Sequence, residues 1–553
     1  MRVSPADRIR AELLSAARDI GATDPDPIIE RPREPSLGDW TTNLAMTLAR
    51  PLRKRPAEIA GLLRDRMRLA EAGVERVDVA GPGFMNFWLD PAVIAESVRE
   101  IVTVNDQFGR SNAGNGERVN VEFVSANPTG PLHVGHGRQA ALGDAISTLL
   151  EWTGWRVSRE FYYNDAGVQI ENLADSVMAR IDALRGGSSP IPDGGYHGDY
   201  IREIAERFAG EIPQSDDSGT DADTDRQKIR EFAVAALRAE QDLDLQAFGV
   251  QFDTYYLESS LYSDRKVEQT VEKLSAAGMT YESGGALWLR TSELGDDKDR
   301  VMRKSDGTYT YFLPDVAYHV TKWERGFRRA IDVQGADHHS TTTRVRAGLQ
   351  ALDVGIAPGY PEYVLHQMVT VMKSGEEVKI SKRAGSYVTV RDLISEVGRD
   401  AVRFFFLMRK SDSQLVFDID VALKQSEENP VYYVQMAHAR MCGIFRVGGI
   451  DREHFSIDGI GLGVLREPEE QELIKALADF PQVVAGAASA LEPHRIATYL
   501  TETSRLAHLW YHKHHVLGQP EELMRARLAL ARAAQIVTRN GLRILGISTP
   551  ERM

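Results

Sequence analysis

Residues 118–152 constrain the fold of this chain most strongly. Arg118-Val-Asn-Val-Glu-Phe-Val-Ser is a β-rich run, and a Pro/Gly-rich turn, Ala126-Asn-Pro-Thr-Gly-Pro, follows it. From about 133 to 152 the sequence then reads as a helix. Strand, glycine-rich turn and helix open a doubly wound nucleotide-binding sheet, whose ligands lie at the carboxyl ends of strands. Further strand candidates at 156–162, 286–291, 330–334 and 363–372, with helical stretches between them, extend this into a mostly parallel sheet.

The turn ends in Leu132-His-Val-Gly-His. His133 and His136 stand three apart, which stacks both imidazoles on one face of a first helical turn. The N–H groups and dipole of that turn favour an anion such as a nucleotide triphosphate. Gly135 and Gly137 carry no side chain, so a nucleotide can lie close to the backbone. Far downstream, Lys379-Ile-Ser-Lys-Arg, followed by Ala384-Gly385, places Lys379, Lys382 and Arg383 on a glycine-flanked loop. Such a loop can clamp a polyphosphate and stabilise charge on a departing pyrophosphate. Ser381 lies between the two lysines.

These two motifs, in this order and at this separation, resemble the HIGH and KMSKS motifs of class I aminoacyl-tRNA synthetases. Ile380 replaces Met and Arg383 replaces the final Ser, and both lysines are kept. Five stretches narrow the resemblance to the arginyl-tRNA synthetases. They are Gly38-Asp-Trp-Thr-Thr-Asn-Leu-Ala-Met, Val121-Glu-Phe-Val-Ser-Ala-Asn-Pro-Thr-Gly, Thr310-Tyr-Phe-Leu-Pro-Asp-Val-Ala-Tyr-His, Ser381-Lys-Arg-Ala-Gly, and Asn429-Pro-Val-Tyr-Tyr-Val-Gln-Met-Ala-His-Ala-Arg. The resemblance implies an arginine–tRNA ligase of bacterial type. It would activate L-arginine with ATP, release pyrophosphate, and pass arginine to the 3′ end of tRNA(Arg), with activation dependent on tRNA.

The implied site follows residue by residue. Glu122 and Asp315 match positions that hold the substrate guanidinium, a planar five-donor group that carboxylates pair with bidentately. Asn127 and Tyr311 match contacts to the amino-acid part of the substrate. ATP falls to His133, Gly135, His136, Lys379, Ser381 and Lys382, with Gly335 and Asp337 of Gly335-Ala-Asp-His lining the adenosine pocket. Mg²⁺ accompanies ATP through its phosphates, and no dedicated protein metal cage is readable. Tyr432, Gln435 and Arg440, on one helix, are candidates for tRNA contact by base stacking and phosphate pairing.

The chain of 553 residues is too long for one ordinary domain. Three are expected: a small α/β N-terminal domain at 1–108, which in the family contacts the outer corner of the tRNA; a Rossmann-like catalytic domain at 109–425 with insertions at about 165–280; and an all-α anticodon-binding bundle at 426–553. Amphipathic helices are expected at 4–20 and 55–71, strands around a Gly-Pro-Gly turn at 77–89, and helices at 430–446, 466–490, 493–515 and 521–545. Residues 215–225 read as a mobile acidic loop. Arg525, Arg527, Arg532, Arg539 and Arg543 recur along the last helix, either as a solvated face or as part of the anticodon surface.

No apolar run is long enough for a membrane span, no signal-peptide core is visible, and one cysteine, Cys442, rules out an internal disulfide. This points to a cytoplasmic protein, and members of the resembled family are usually monomers. The net charge of −14 argues weakly against a nucleic-acid partner, but binding needs only a local basic face. Two other readings are a nucleotidyltransferase using HxGH chemistry without tRNA, and a tRNA-binding paralogue without activity. The helical C-terminal region disfavours the first, and the intact histidines and lysines disfavour the second.

Overall fold

The computed structural model describes residues 5–32, 34–165, 167–211, 222–378 and 388–553. The chain divides into two compact units. One comprises Met1–Asn105, Met441–Ala478 and Leu506–Ile536, and the other Asp106–Arg440, Asp479–Arg505 and Val537–Met553.

In the first unit, helix Pro5–Asp19 buries Ile9, Leu13, Ala16 and Ala17 at helical spacing. Strands Trp40–Thr42, Phe84–Leu89 and Val74–Ala80 form an antiparallel sheet with Phe84–Leu89 in the middle. Helix Leu44–Leu52 was not anticipated, and the second expected helix is broken into Pro56–Arg64 and Leu69–Ala72. Asp39 is buried; it accepts from the Leu89 N–H at 2.8 Å and pairs with Lys475. Arg99 donates to the carbonyls of Ile457 and Ile460.

The second unit is built on five parallel strands: β1 (Arg118–Glu122), β2 (Arg156–Tyr163), β3 (Thr254–Leu257), β4 (Arg329–Gly335) and β5 (Glu362–His366). Their order across the sheet is β5-β4-β1-β2-β3. Strand order reverses between β1 and β4, which makes that crevice the ligand position of a doubly wound sheet. Residues Val119 to Glu122 of β1 are all buried, as expected of a strand covered on both faces. Helix α1 (Val134–Trp152) packs against the sheet and against α3 (Arg399–Leu407). Helix α2 (Phe312–Glu324) shares a core with Tyr162 of β2 and Ala330 of β4.

Between β2 and β3, helices Val168–Leu184, Asp199–Glu211 and Ala222–Ala247 share a satellite core of Leu173, Val177, Ile204, Ala233 and Leu237. The acidic loop expected at 215–225 falls largely outside the described residues. Two strand expectations change. Residues Ala286–Leu289 join a small antiparallel sheet with Thr280–Ser283 and Arg300–Arg303 instead of the central sheet. The run 363–372 splits at Gln367–Met368, its first half completing β5 and its second, Val369–Lys373, pairing with Leu415–Asp418 elsewhere. Edge strand β3 was not anticipated. The C-terminal part is all helical, and the expected helix 466–490 is interrupted at Asp479, where Pro481 begins the next helix.

Candidate active site

β1 leaves the sheet through a tight turn in which Val124 and Ser125 have positive φ, 70° and 39°. For a β-branched residue this is a strained backbone of the kind found beside functional sites. The turn brings the Ser125 hydroxyl back to donate to Glu122 at 2.8 Å, while it accepts from the Tyr162 N–H at 3.2 Å.

His133 is the N-cap of α1. Its Nδ1 accepts from the N–H groups of Gly135 and His136 at 3.1 and 3.4 Å, and the Nδ1 of His136 accepts from the His133 N–H at 3.3 Å. The rings stack at 3.7 Å between centroids. An accepting Nδ1 leaves the ring proton on Nε2, so both imidazoles present an Nε2–H donor. The two turn N–H groups expected to receive an anion are therefore engaged by His133. Gly137 also differs from expectation: it is buried, and a Cβ there would meet Val390 at 2.8 Å and Phe406 at 2.9 Å, so it serves packing.

Lys379, Ser381 and Lys382 lie outside the described residues. Just past them, Thr389 bridges to His133, and the Val390 N–H donates to the Leu132 carbonyl at 2.9 Å. The chain that leaves the second motif is thus fastened to the first.

Glu122 ends β1 and is buried beneath the crevice. Its Oε2 accepts from Lys322 Nζ at 2.5 Å, and the same ammonium donates to Asp332 of β4 at 2.8 Å. The second Asp332 oxygen lies 2.6 Å from His319 Nε2, and His319 Nδ1 lies 2.7 Å from the Asp315 carbonyl oxygen. Burial opposes the Lys322 charge, but Asp332, Glu122 and Glu160 outweigh it and hold the ammonium above its usual range. Glu122, His319 and Asp332 present ligand atoms within 4.8 Å of one another, a spacing a metal ion could use. The Lys322 ammonium already supplies the cation there.

Two further carboxyls face this region. Asp315, at the start of α2, is pushed up to about 7, chiefly by burial, with His319 opposing and Glu258 and Glu122 adding to the rise. Glu258, directly after β3, is also pushed up to about 7, again by burial, with its Oε2 accepting from the Tyr162 hydroxyl at 3.0 Å. Tyr162 feels Glu258, Asp315 and Glu122 together. The result is a cluster of three acids beside Tyr162, in which the Lys322 ammonium already bridges Glu122 and Asp332. Sequence reasoning missed Glu258, Lys322, Asp332 and His319. For His319 and Lys322 the signal was the charge pattern of 315–322, which has no meaning until α2 meets β1 and β4; Glu258 and Asp332 carried none.

The other site candidates are dispersed. Asn127 donates to Gln169 at 2.6 Å, and its carbonyl accepts from Gln241. Tyr311 is 74% exposed just ahead of α2. Gly335 ends β4; Asp337 is exposed and lies 3.8 Å from His338. On helix Pro430–Val447, Tyr432 and Arg440 are half-buried. Gln435 is buried, and its amide donates to Asp400 and to the Ser548 carbonyl at 2.9 and 3.0 Å, a tie between its helix and the end of the chain. The last-helix arginines divide: Arg525 and Arg543 are exposed and the others are buried or half-buried. Arg527 is buried against Glu470, Arg532 against Gln535 and Glu453, and Arg539 and Arg543 pair with Asp106.

A doubly wound sheet whose first crossover helix is capped by two stacked histidines, beside a cluster of carboxyls at the switch point, has the architecture of a class I aminoacyl-tRNA synthetase. Family models agree along the chain: the arginyl tRNA synthetase N terminal domain at residues 6–89, the catalytic domain of class I (R) tRNA synthetases at 97–420, and the DALR anticodon binding domain at 434–553. The arginine–tRNA ligase of Thiobacillus denitrificans is 56% identical over 95% of this chain and 94% of its own length. That of Cupriavidus necator is 54% identical over 96% of each. The fold matches the arginyl-tRNA synthetase structures of Thermus thermophilus (TM-score 0.75, 23% identity, 99% of this chain and 100% of that one) and Plasmodium falciparum (TM-score 0.76, 17% identity, 99% of each). The chain belongs to the arginyl-tRNA synthetase family. It is an ATP-dependent arginine–tRNA ligase, and no helix among its described residues is long and apolar enough to cross a membrane.

Proposed function

We propose that the three-acid pocket receives the substrate guanidinium and that the paired motifs hold ATP beside it. The observation that supports this most directly is the cluster of buried and half-buried carboxyls at Glu122, Asp315 and Glu258, two of them pushed up to about 7, chiefly by burial. A planar cation with five donors offsets the cost of that burial and satisfies all three. Asn127 and Tyr311 contact the amino-acid end.

In the first step the arginine carboxylate oxygen attacks the α-phosphorus of ATP, and the bond to pyrophosphate breaks in line. The Nε2–H groups of His133 and His136 donate to phosphate oxygens near the reacting centre. Lys379 and Lys382, with Ser381, hold the β and γ groups, and Mg²⁺ enters with the phosphates. Gly135 and Gly335 admit the nucleotide backbone-close, and Asp337 borders its ribose. In the second step the terminal ribose hydroxyl of tRNA attacks the activated carbonyl and AMP leaves.

Residues 1–108 contact the outer corner of the tRNA, 109–425 carry the chemistry, and 426–553, including Tyr432 and Arg440, hold the anticodon stem-loop. The enzyme acts as a cytoplasmic monomer, and activation requires bound tRNA. The test is pyrophosphate exchange with arginine, citrulline and lysine. Citrulline has nearly the same shape without the charge, and its use at a rate near that of arginine would refute the guanidinium assignment.

A further inference from the structure

We propose that His366 selects the base of the nucleotide, its Nε2 accepting a hydrogen bond from the exocyclic amine of adenine. This rests on the ATP reading above. The pocket acids centre on one row of the sheet, where Glu122 of β1 is the register partner of Asp332 of β4 and Asp332 that of Tyr363 of β5. We place the nucleotide beyond that row, at the carboxyl ends of β4 and β5. Gly335 and His366 are register partners at the carboxyl ends of those two strands, where ligands of such a sheet lie. Arg138, two residues past His136, is fully buried and donates to the Gln367 carbonyl at 2.7 Å. That bond fastens the end of β5 beside the first turns of α1.

His366 is 7% exposed. Its Nδ1 lies 3.2 Å from the Gln367 carbonyl oxygen, which can only accept, so the ring proton sits on Nδ1 and Nε2 carries a lone pair. That Nε2 is buried and has no hydrogen-bond partner among the described residues. Burial, reinforced by Arg138 and His338 and opposed by the Gln367 carbonyl and Asp337, pushes the ring down to about 4, so it stays a neutral acceptor at physiological pH. A buried acceptor without a donor is costly, and a ligand N–H placed there recovers the loss. Adenine carries an amine at C6, whereas guanine and hypoxanthine carry a carbonyl there. The His366 lone pair therefore meets a donor from ATP and another lone pair from GTP or ITP.

The test is pyrophosphate exchange by the full chain with tRNA(Arg), using ATP, ITP and purine riboside triphosphate, which has only hydrogen at C6. The native enzyme should show a KM about tenfold or more higher for purine riboside triphosphate than for ATP, and higher still for ITP. His366→Leu should raise the KM for ATP to that of the purine nucleotide and leave the KM for arginine unchanged. His366→Gln, whose side-chain oxygen still accepts, should keep the preference for ATP. Equal use of ATP and the purine nucleotide by the native enzyme overturns the proposal whether or not any variant folds. Retention of the ATP preference by folded His366→Leu also overturns it. His136→Ala separates the two levels. If it cripples activation while His366→Leu keeps the preference, the ATP site stands and only the role of His366 falls. If His136→Ala is inert, the ATP site falls and takes this inference with it.

Discussion

Lys322 and Glu122 form a buried ion pair, Nζ to Oε2 2.5 Å, between residues 200 positions apart in the chain. With Asp332 on its other side, the ammonium bridges two buried carboxylates in the crevice proposed to accept the cationic substrate. Glu122 is thereby held in place by α2 before arginine arrives, and the rim acids Asp315 and Glu258 are left to respond to it.

Lys322→Met should destabilise the catalytic unit by about 3–5 kcal/mol, because it strands Glu122 and Asp332 without a counter-charge. Lys273→Met, which removes a half-exposed partner of Glu324, should cost under about 1 kcal/mol. Urea unfolding followed by loss of activity compares them. Similar losses from the two variants would contradict the importance given to burial.

His136→Ala and Lys382→Ala should each slow adenylate formation by roughly 10²–10³-fold, the usual effect of removing one preorganised donor. His133→Ala removes both a donor and the N-cap of α1, so it should add a stability loss of about 1 kcal/mol that His136→Ala shows less strongly. Single-turnover activation rates beside melting curves resolve the two effects. A near-normal rate in folded His136→Ala would remove it from the phosphate site.

Asp315 and Glu258 make arginine use pH-dependent. Each carboxyl is pushed up to about 7 in the pocket, against ordinary values of 3.8 and 4.5. Below pH 7 they are protonated and pair poorly with a guanidinium, so the KM for arginine should rise as pH falls from 8 to 6, by up to about tenfold per pH unit for each titrating acid. Stability moves the other way. Between the unfolded and folded values the folded chain binds more protons, so the substrate-free enzyme should lose stability as pH rises from about 4 through 7, and saturating arginine should restore it. Asp315→Asn should flatten both profiles. A KM for arginine that is level from pH 6 to 8 would show that these acids do not meet the substrate.

The parts of this molecule written in local pattern were legible before the structure: β1, the capped start of α1, the paired strands near the N-terminus and the helical C-terminal part. Each is specified by neighbours within a few residues. What was not legible depends on distant partners. Glu258 follows a four-residue strand, Thr254–Leu257, too short to declare itself, and it gains meaning only opposite Tyr162 and Asp315. Lys322 stood out in no local pattern, and it is fully buried. The last-helix arginines could read as a solvated face or an anticodon surface; Arg527 and Arg532 instead lie buried against Glu470 and Glu453, partners far away in the chain.

The requirement for tRNA in activation must be tested on the whole chain. Removing residues from about Ser426 onward takes away no proposed catalytic group, and on the sequence alone that truncation reads as a clean test. The structure makes it a poor one. Residues 537–553 belong to the catalytic unit. Arg403, fully buried on α3, donates to the Leu545 carbonyl at 2.8 Å, to the Phe248 carbonyl at 3.2 Å and to Asp144 of α1 at 2.6 Å. Asn540 donates to the Phe108 carbonyl at 3.1 Å. Truncation at Ser426 should strand the Arg403 guanidinium and expose the core beneath it, so the catalytic unit should melt, and loss of activity would report unfolding. Circular dichroism and calorimetry on the truncated chain check this, with a lost or strongly lowered transition expected. The decisive comparison is pyrophosphate exchange by the intact enzyme with and without tRNA(Arg). A tRNA that favours the active arrangement of the ATP site acts by shifting a population, so exchange should rise from near zero to its full rate as tRNA saturates. Robust exchange without tRNA would refute the coupling and leave the ligase assignment intact.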